Sequence, residues 1–201
     1  NQKQTKLKNS YSYCSSFILN HKNVNPAQMK KNLYLLFLLP LLALTGCNND
    51  DNSRKAPVDQ LPPPTQSGKY TFGCLVNGEV MIPDDTTSML AEYQGGMMQI
   101  IGEVWHEDFF QTIKIIVLDP IIIGQNYDLT DMSTTRVIYS RKINGSICNY
   151  EAEDTFNGWI KFSKIDRTNL IVSGTFEYST VTENCDTIRV TNGRFDFPYI
   201  N

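Results

Sequence analysis

Short alternations of apolar and polar residues run along the chain from about residue 70 to its end. They are clearest over residues 97–105, 111–118 and 170–178. Alternation with a period of two places the apolar side chains on one face of a strand, so each stretch predicts a half-buried β-strand. No run of helical spacing is long enough for a helix of more than a turn or two. The pattern therefore predicts an all-β, antiparallel fold for residues 70–201.

Asn-Gly pairs separate many of these strands and predict hairpin turns. A type I′ turn needs positive φ at both central residues, which Asn and Gly tolerate best, and its twist matches that of paired strands. The pairs lie at residues 77–78, 144–145, 157–158 and 192–193, with Gly95-Gly96 as a fifth candidate.

The last pair makes a register prediction. A two-residue loop at Asn192-Gly193 places Val190 opposite Phe195. The same loop places Ile188 opposite Phe197, so four apolar side chains share one face. The other face is expected to be wet and to carry Arg189, Thr191, Arg194 and Asp196.

Two further strand features are predicted in the same way. A hairpin at Asn144-Gly145 pairs Tyr139 with Tyr150 and Arg141 with Cys148. In the strand over residues 170–178, Gly174 marks a bulge or a close approach of two backbones. The apolar residues predicted to share the face of Gly174 are Leu170, Val172, Phe176 and Tyr178.

The strand pattern favours one architecture and leaves a second open. Our first choice is an antiparallel β-sandwich built of hairpins. The alternative is a closed, lipocalin-like β-barrel with a ligand cavity, because ten or so short strands in meander order can also close on themselves.

The most specific signal precedes the strands, in residues 29–46. Lys30 and Lys31 form a positive start, and an apolar run of twelve residues, 33–44, follows. That run is too short to span a bilayer, which takes roughly 20 apolar residues. Leu44-Thr45-Gly46-Cys47 resembles the lipobox of bacterial lipoproteins, which implies cleavage before Cys47 and lipidation of its sulfur. Several acyl chains on one residue would anchor the chain stably to a membrane.

The segments on either side of this signal complete the predicted organisation. Residues 1–28 lack the features of a signal, and we interpret them as an extension that is not translated, with Met29 as the start. Residues 47–69 are predicted to be a flexible, proline-rich spacer after the lipidated cysteine. The acidic pair Asp50-Asp51 resembles the export signal of surface lipoproteins of Bacteroidota, which implies display on the cell surface rather than in the periplasm.

Two stretches of the β region carry a family resemblance. TFGCLVNGEVMIP covers residues 71–83, and IVSGTFEYS together with DTIRVTNGRFDF falls within residues 171–197. They resemble a family of small Bacteroidota lipoproteins known as a domain of unknown function. The resemblance implies an envelope location and an all-β fold. It carries over no functional residue.

Charge excludes one class of partner. Residues 47–201 hold 12 Lys and Arg against 21 Asp and Glu, a formal net charge of −9. Nucleic-acid binding relies on neutralisation of phosphates by basic side chains, so nucleic acid is not an expected partner.

Three cysteines follow Cys47, and they permit at most one disulfide within the domain. Cys148 and Cys185 both fall near strand ends, and we favour their pairing, with three free thiols as the alternative. Cys74 lies within a strand pattern and is expected to act as a small buried hydrophobe. No C-x-x-C spacing occurs, and His106 is the only histidine after Cys47, so no metal site and no cofactor are predicted.

Candidate catalytic groups are sparse. His106 sits beside Glu103, Glu107 and Asp108, in what the pattern predicts to be a solvated turn. The other acidic groups are Asp84-Asp85 and the set Glu151, Glu153 and Asp154; Glu151 and Glu153 are predicted to lie on one face of a strand. A glycosidase needs two carboxyl groups on opposite sides of a sugar, a geometry that sequence does not reveal. We therefore name no catalytic residue.

Aromatic residues offer a binding surface or a packed core. They are Trp105, Trp159 and the tyrosines at 93, 127, 139, 150, 178 and 199. Aromatics favour strands for packing alone. Those left outside the core would suit a glycan or a protein ligand.

Two short sequences resemble the O-glycosylation acceptors of Bacteroidota. Thr86 follows Asp85 in a predicted loop, and Thr187 follows Asp186 in a predicted strand, where it would be a poor acceptor.

The sequence thus predicts a lipid-anchored outer-membrane protein whose domain is a non-catalytic binding or structural module. The alternative is a lipocalin-like carrier of small molecules or a small carbohydrate-active hydrolase.

Overall fold

The structure, a computed structural model, describes residues 55–143 and 145–201. The predicted extension, the signal, Cys47 and the pair Asp50-Asp51 lie outside these residues. The described part is all-β, and its strands form two antiparallel sheets. The strands are β1 (Thr71–Val76), β2 (Glu79–Met81), β3 (Met89–Gln94), β4 (Met97–His106), β5 (Phe109–Leu118), β6 (Asn126–Asp128), β7 (Thr135–Ile143), β8 (Ser146–Tyr150), β9 (Thr155–Asp166), β10 (Ile171–Thr180) and β11 (Ile188–Pro198).

The two sheets form a sandwich and do not close into a barrel. One sheet has six strands in the order β2-β1-β11-β10-β9-β6, and the other has five in the order β3-β4-β5-β7-β8. The space between them is filled by buried side chains such as Phe72, Ile113 and Phe176. The prediction of a sandwich is confirmed, and the barrel alternative is wrong.

The alternating strands are confirmed, except that Leu170, predicted on the third strand, precedes β10 and has a φ of 53°. Met98, Ile100 and Val104 of β4 are buried, and so are Ile113 and Ile115 of β5. These side chains point inward because alternate residues of a strand face opposite sides of the sheet.

Gly174 lies where two backbones come close, as predicted. A Cβ atom there would lie 2.5 Å from the carbonyl oxygen of Lys161 on β9. The pairing of β9 and β10 also shifts register between Ser173 and Gly174. Only a residue without a side chain fits this position.

Three of the predicted hairpins form, and the one with a predicted register among them follows it. Val76 pairs with Glu79 around the Asn77-Gly78 turn. Gln94 pairs with Met97 around Gly95-Gly96. Both residues of each turn have positive φ, as a type I′ turn requires. In the third hairpin, β7 and β8 pair Tyr139 with Tyr150 and Arg141 with Cys148.

The hairpin predicted at Asn192-Gly193 is wrong. Both residues lie inside β11, where Asn192 has a φ of 55° and forms a β-bulge against both neighbouring strands. The bulge adds one residue to the strand, so the side chains after it point to the face opposite to the one that strict alternation would give them. Val190 and Phe195 therefore both point into the core, on one strand rather than on two paired strands.

The hairpin predicted at Asn157-Gly158 is also wrong, because β9 runs straight through it. Gly158 pairs with Tyr178 of β10. A Cβ atom at Gly158 would lie 2.5 Å from the Cβ atom of Tyr178, so this glycine serves close packing and not a turn.

Residues 61–69, predicted to be part of the flexible spacer, instead lie across the outer face of the six-stranded sheet; we call them the crossing segment. Leu61 is buried. The side chain of Pro62 packs over Gly73 of β1, where a Cβ atom would lie 2.7 Å from Pro62 Cδ. At the far side of the sheet, Lys164 of β9 donates to the carbonyl of Gln66 at 3.1 Å.

A carboxylate holds the crossing segment in place. Asp196 of β11 accepts hydrogen bonds from Thr65 Oγ1 at 2.6 Å and from the backbone N–H groups of Ser67 and Gly68 at 3.0 and 2.8 Å. Ser173 Oγ donates a further bond at 2.7 Å. Asp196, predicted on the wet face, is therefore fully buried beneath the segment.

No helix in the described residues is long and apolar enough to cross a membrane.

Candidate functional site

A concave surface that carries polar and charged groups lies on the outer face of the six-stranded sheet, beside the crossing segment. It consists of three depressions of about 260, 140 and 340 Å³. The first two share Trp159 and Glu177, and the second and third share Thr191. We call this connected surface the groove. Its main lining residues are Pro64, Asn77, Asn157, Trp159, Thr175, Glu177, Arg189, Thr191, Asn192 and Arg194.

Trp159 lies at the centre of the groove because of the strand register. It is on β9, where its cross-strand neighbours are Glu177 of β10 and Asp128 of β6. The indole is partly exposed and lines the two adjoining depressions. An aromatic ring with an open face beside polar groups offers both an apolar contact and hydrogen-bonding neighbours to a ligand.

The bulge in β11 shapes the polar side of the groove. It turns the backbone N–H of Asn192 toward Glu177, whose Oε1 accepts it at 3.1 Å. Arg194 Nε donates to the carbonyl of the same Asn192 at 3.2 Å. Bulges re-aim side chains and are frequent beside binding sites. The mispredicted Asn-Gly pairs at 157–158 and 192–193 thus both contribute to the groove.

Arg194 is fixed by neutral partners. Besides Asn192, its Nη1 donates to the carbonyl of Pro62 in the crossing segment at 3.3 Å. The four ion pairs among the described residues involve neither Arg194 nor Arg189. Glu177 is the one carboxylate that lines any of the three depressions. The groove therefore carries two positive charges against one negative charge.

The crossing segment builds one wall of the groove through Pro64. Its anchoring carboxylate, Asp196, is electrostatically well compensated. Burial raises the pKa of Asp196, but the hydrogen bonds from Thr65, Ser173, Ser67 and Gly68 outweigh burial and lower the pKa from 3.8 to about 2. The segment is thus held by an ionised group at neutral pH.

His106 and the acidic residues form a second, smaller depression, between the sheets. It has a volume of about 210 Å³, and its lining includes Val76, Glu79, Met81, Asp84, Val104 and His106. His106 Nε2 lies 4.0 Å from Asp84 Oδ2, and both side chains are mostly exposed. The described residues contain no group of three or more His, Cys, Asp or Glu that is placed to hold a metal ion.

The other acidic residues singled out in the sequence are not brought into either depression. Glu153 belongs to a 3-10 helix, Ala152–Asp154, with Glu151 as its N-cap, so the prediction that Glu151 and Glu153 share a strand face is wrong. Asp154 Oδ2 accepts the backbone N–H of Glu151 at 2.9 Å and closes this turn. The short spacing of the three acids reflects helix capping.

The cysteines form the disulfide that the sequence analysis favours, and the third is free. Cys148 of β8 and Cys185, in the loop before β11, form a disulfide with their Cα atoms 6.1 Å apart, which links the two sheets. Arg141 pairs with Asp186 beside it, at 2.8 Å. Cys74 is buried and free, and burial raises the pKa of its thiol to about 12, so it is not a reactive nucleophile.

Five of the six tyrosines singled out in the sequence are core residues. Tyr127, Tyr139, Tyr150, Tyr178 and Tyr199 are buried.

Trp105 is a surface residue on the other sheet. It is 57% exposed and stacks on Phe110 with ring centroids 4.9 Å apart, on the outer face of the five-stranded sheet. Glu103 Oε2 accepts a hydrogen bond from its indole Nε1 at 3.1 Å. The two tryptophans therefore lie on opposite outer faces of the sandwich.

The two predicted acceptor threonines both lie outside the strands. Thr86 is exposed in a short 3-10 helix, Thr86–Ser88, which is capped by Asp85. Thr187 precedes β11, so its prediction as a strand residue is wrong, and its carbonyl accepts a hydrogen bond from Asn77 Nδ2 at 3.2 Å.

The fold places the chain among all-β sandwich proteins with open sheets. Comparison of the chain with protein-family models, with curated proteins and with solved structures finds no match in any of the three. The resemblance to the Bacteroidota lipoprotein family therefore stays a prediction, and the function rests on the groove and on the sequence signals.

Proposed function

We propose that this chain is a lipid-anchored protein of the outer membrane, displayed on the cell surface, whose β-sandwich is a non-catalytic binding domain. The lipobox-like residues before Cys47 support the anchor, and the pair Asp50-Asp51 supports surface display. The groove around Trp159 is the proposed binding site.

The observation that carries the binding role is the composition of the groove. A partly exposed indole, one carboxylate, an unpaired guanidinium and amide side chains converge on one concave surface. Ligand sites combine an apolar contact surface with a few fixed polar groups in this way. A single lining carboxylate, Glu177, does not supply the pair of acids that glycoside hydrolysis uses.

The anchor is tested by metabolic labelling of cells with an alkyne-bearing fatty acid. We expect the label on the wild-type chain and none on a Cys47→Ala variant. Surface display is tested by protease treatment of intact cells that express a C-terminally tagged chain, with a periplasmic protein as the leakage control. Loss of the tag while the control survives supports display. A protected tag would contradict it and place the domain in the periplasm.

The binding role is tested on an array of immobilised polysaccharides and glycoproteins, probed with the full chain in detergent micelles. We expect at least one bound class whose signal is lost in Trp159→Ala and kept in Trp105→Ala. Trp105 is the matched control because it is also exposed but lies on the opposite face. If no bound class depends on Trp159, the groove is not the binding site.

A small hydrolase is the second candidate, and the depression between the sheets favours it. Glu79 and Asp84 line that depression together with His106. If this is an active site, the chain releases reducing sugar from polysaccharides, and the double substitution Glu79→Gln and Asp84→Asn abolishes the release. Absence of release from the wild-type chain rejects the hydrolase on those substrates.

A further inference from the structure

Building on the proposed binding role of the groove, we propose that its ligand is an acidic polysaccharide, a sugar chain that carries carboxylate groups. In this interaction Trp159 contacts the face of a sugar ring and Arg194 binds a carboxylate of the same or the next sugar. The proposal names the ligand class and leaves the individual sugar open.

Arg194 is positioned to bind an anionic ligand. Its two hydrogen bonds within the chain go to the neutral carbonyls of Asn192 and Pro62, and they fix the plane of the guanidinium. No carboxylate of the described residues forms an ion pair with it. A guanidinium has five N–H donors, so three remain for a ligand. Arginine held in this way suits the bidentate binding of a carboxylate.

The position of Arg194 relative to Trp159 supports a sugar as the carrier of that carboxylate. Both residues line the depression of about 260 Å³, together with Thr175 and Asn192. A pyranose ring presents C–H groups on its faces, which pack on an indole, and hydroxyl groups at its rim. Thr175 and Asn192 supply donors and acceptors for those hydroxyls.

Glu177 is compatible with this ligand. Its Oε1 already accepts the backbone N–H of Asn192, so the carboxylate is partly neutralised by that bond. Its second oxygen can accept a hydrogen bond from a sugar hydroxyl. The carboxylate therefore orients the sugar ring, and Arg194 provides the preference for acidic sugars.

The extent of the groove indicates a chain rather than a single sugar. The depressions continue past Thr191 to Arg189 and the Asn77-Gly78 turn. Arg189 and Arg194 are five residues apart on β11, which is about 15 Å along a strand. Two unpaired arginines at this separation match carboxylates that repeat along a polymer.

Charge elsewhere on the molecule would confine such a ligand to the groove. Residues 47–201 have a formal net charge of −9, so an acidic polymer is repelled by most of the surface. The groove, with Arg189 and Arg194 against Glu177, is a local exception. Binding there is expected to weaken with added salt, because part of the attraction is electrostatic.

The test uses the full chain in detergent micelles and calorimetric titration with three polysaccharides. Polygalacturonate and alginate carry a carboxylate on every sugar, and dextran is neutral. We expect both acidic polymers to bind at least tenfold more tightly than dextran. Trp159→Ala should weaken that binding at least tenfold, and Trp105→Ala should leave it unchanged.

Arginine variants separate specific recognition from general charge. Arg194→Gln should lose at least tenfold in affinity for polygalacturonate and should remove most of the preference over dextran. Arg194→Lys keeps the charge without the bidentate donor pair, so we expect an intermediate loss. Arg136→Gln is the matched control, because Arg136 is an exposed arginine on β7, in the other sheet. Circular dichroism melting curves check that each variant folds.

Three other outcomes would each refute a different part of the proposal. Equal binding of dextran and the acidic polymers, lost in Trp159→Ala, would keep the groove as a binding site and refute the acidic ligand. Equal losses in Arg194→Gln and Arg136→Gln would show nonspecific attraction and refute the role of Arg194. Absence of binding to all three polymers would refute the proposal, while the labelling and array experiments decide the anchor and the binding role separately.

Discussion

Replacing Asp196 with asparagine removes the charge that holds the crossing segment on the six-stranded sheet. The substitution keeps the size of the side chain but converts one acceptor oxygen into an N–H₂ donor. That group would then face donors, because each carboxylate oxygen of Asp196 accepts at least two hydrogen bonds. Asp196→Asn should therefore destabilise the domain and release residues 61–69.

Two arguments, one from the pKa and one from hydrogen bonding, give the size of the effect. The pKa of Asp196 falls from 3.8 to about 2 on folding, which corresponds to about 2 kcal/mol of stability at neutral pH. Leaving a buried donor unpaired costs about 1–3 kcal/mol. These two values describe overlapping interactions, so we expect a total loss of about 2–4 kcal/mol. For a domain of this size that is a fall in Tm of roughly 5–15 °C.

Urea denaturation monitored by tryptophan fluorescence measures the loss of stability. Hydrogen exchange of the Ser67 and Gly68 amides measures release of the segment, and we expect both amides to lose protection. Asp186→Asn is the control, because it makes the same change on a carboxylate that is 82% exposed and should cost less than about 1 kcal/mol. If Asp196→Asn costs no more than this control and both amides stay protected, the carboxylate does not hold the segment.

Three further predictions follow from the same structure. The stability contributed by Asp196 should be complete above about pH 4 and lost as the pH falls toward 2, because its folded pKa is lowered. The acid slope should be smaller in Asp196→Asn melting curves, and the slope that remains comes from other aspartates with a lowered pKa, such as Asp166. Gly193→Ala should cost about 1–3 kcal/mol in urea denaturation, because the new Cβ atom would lie 2.6 Å from the ring of Phe176; an unchanged midpoint would contradict this packing. Cys148→Ser should cost about 2–4 kcal/mol by releasing a link across 37 residues to Cys185, and reduction of the wild-type chain should have the same effect and none on the variant.

The strand content was predictable because burial follows a period of two wherever one face of a strand meets water. β11 shows where that reasoning fails. A two-residue hairpin and a one-residue bulge both reverse the inward face between Val190 and Phe195, so the apolar pattern is identical for the two. The distinction lies in the close packing of Gly193 on Phe176, which depends on a neighbouring strand.

The crossing segment has a signature in the sequence of β1. Phe72 to Val76 of β1 are all buried, and continuous apolar runs are typical of strands covered on both faces. Leu61 is also the one large aliphatic residue beside the three prolines. Together these features indicate that something covers the outer face of β1. The role of Asp196 in holding the crossing segment was not predictable, because the contact joins positions about 130 residues apart.

The groove could not have been assembled from the sequence. In the sequence Trp159 is one of several aromatics, and its neighbours in the groove come from separate strands and from Pro64 in the crossing segment. Their convergence depends on the registers of β9, β10 and β11. One feature of the sequence does point to the groove: two Asn-Gly pairs lie within apolar alternations that continue on both sides of the pair. Such a pair is as consistent with a bulge or with close packing of strands as with a turn.

If Cys47 carries the proposed lipid, docking of the crossing segment also limits how far the domain can lie from the membrane. A free spacer through Lys69 would contain 22 residues and reach about 70 Å when fully extended. With Leu61 buried, 13 residues, 48–60, separate Cys47 from the docked segment and span at most about 45 Å. The span is shorter than this limit because Pro57–Gln60 form a 3-10 helix. The volume that the domain searches above the membrane falls to about a quarter, since it scales with the cube of that radius. Because the chain continues from Leu61 to Pro64, tension on residues 48–60 would act on the segment that forms one wall of the groove.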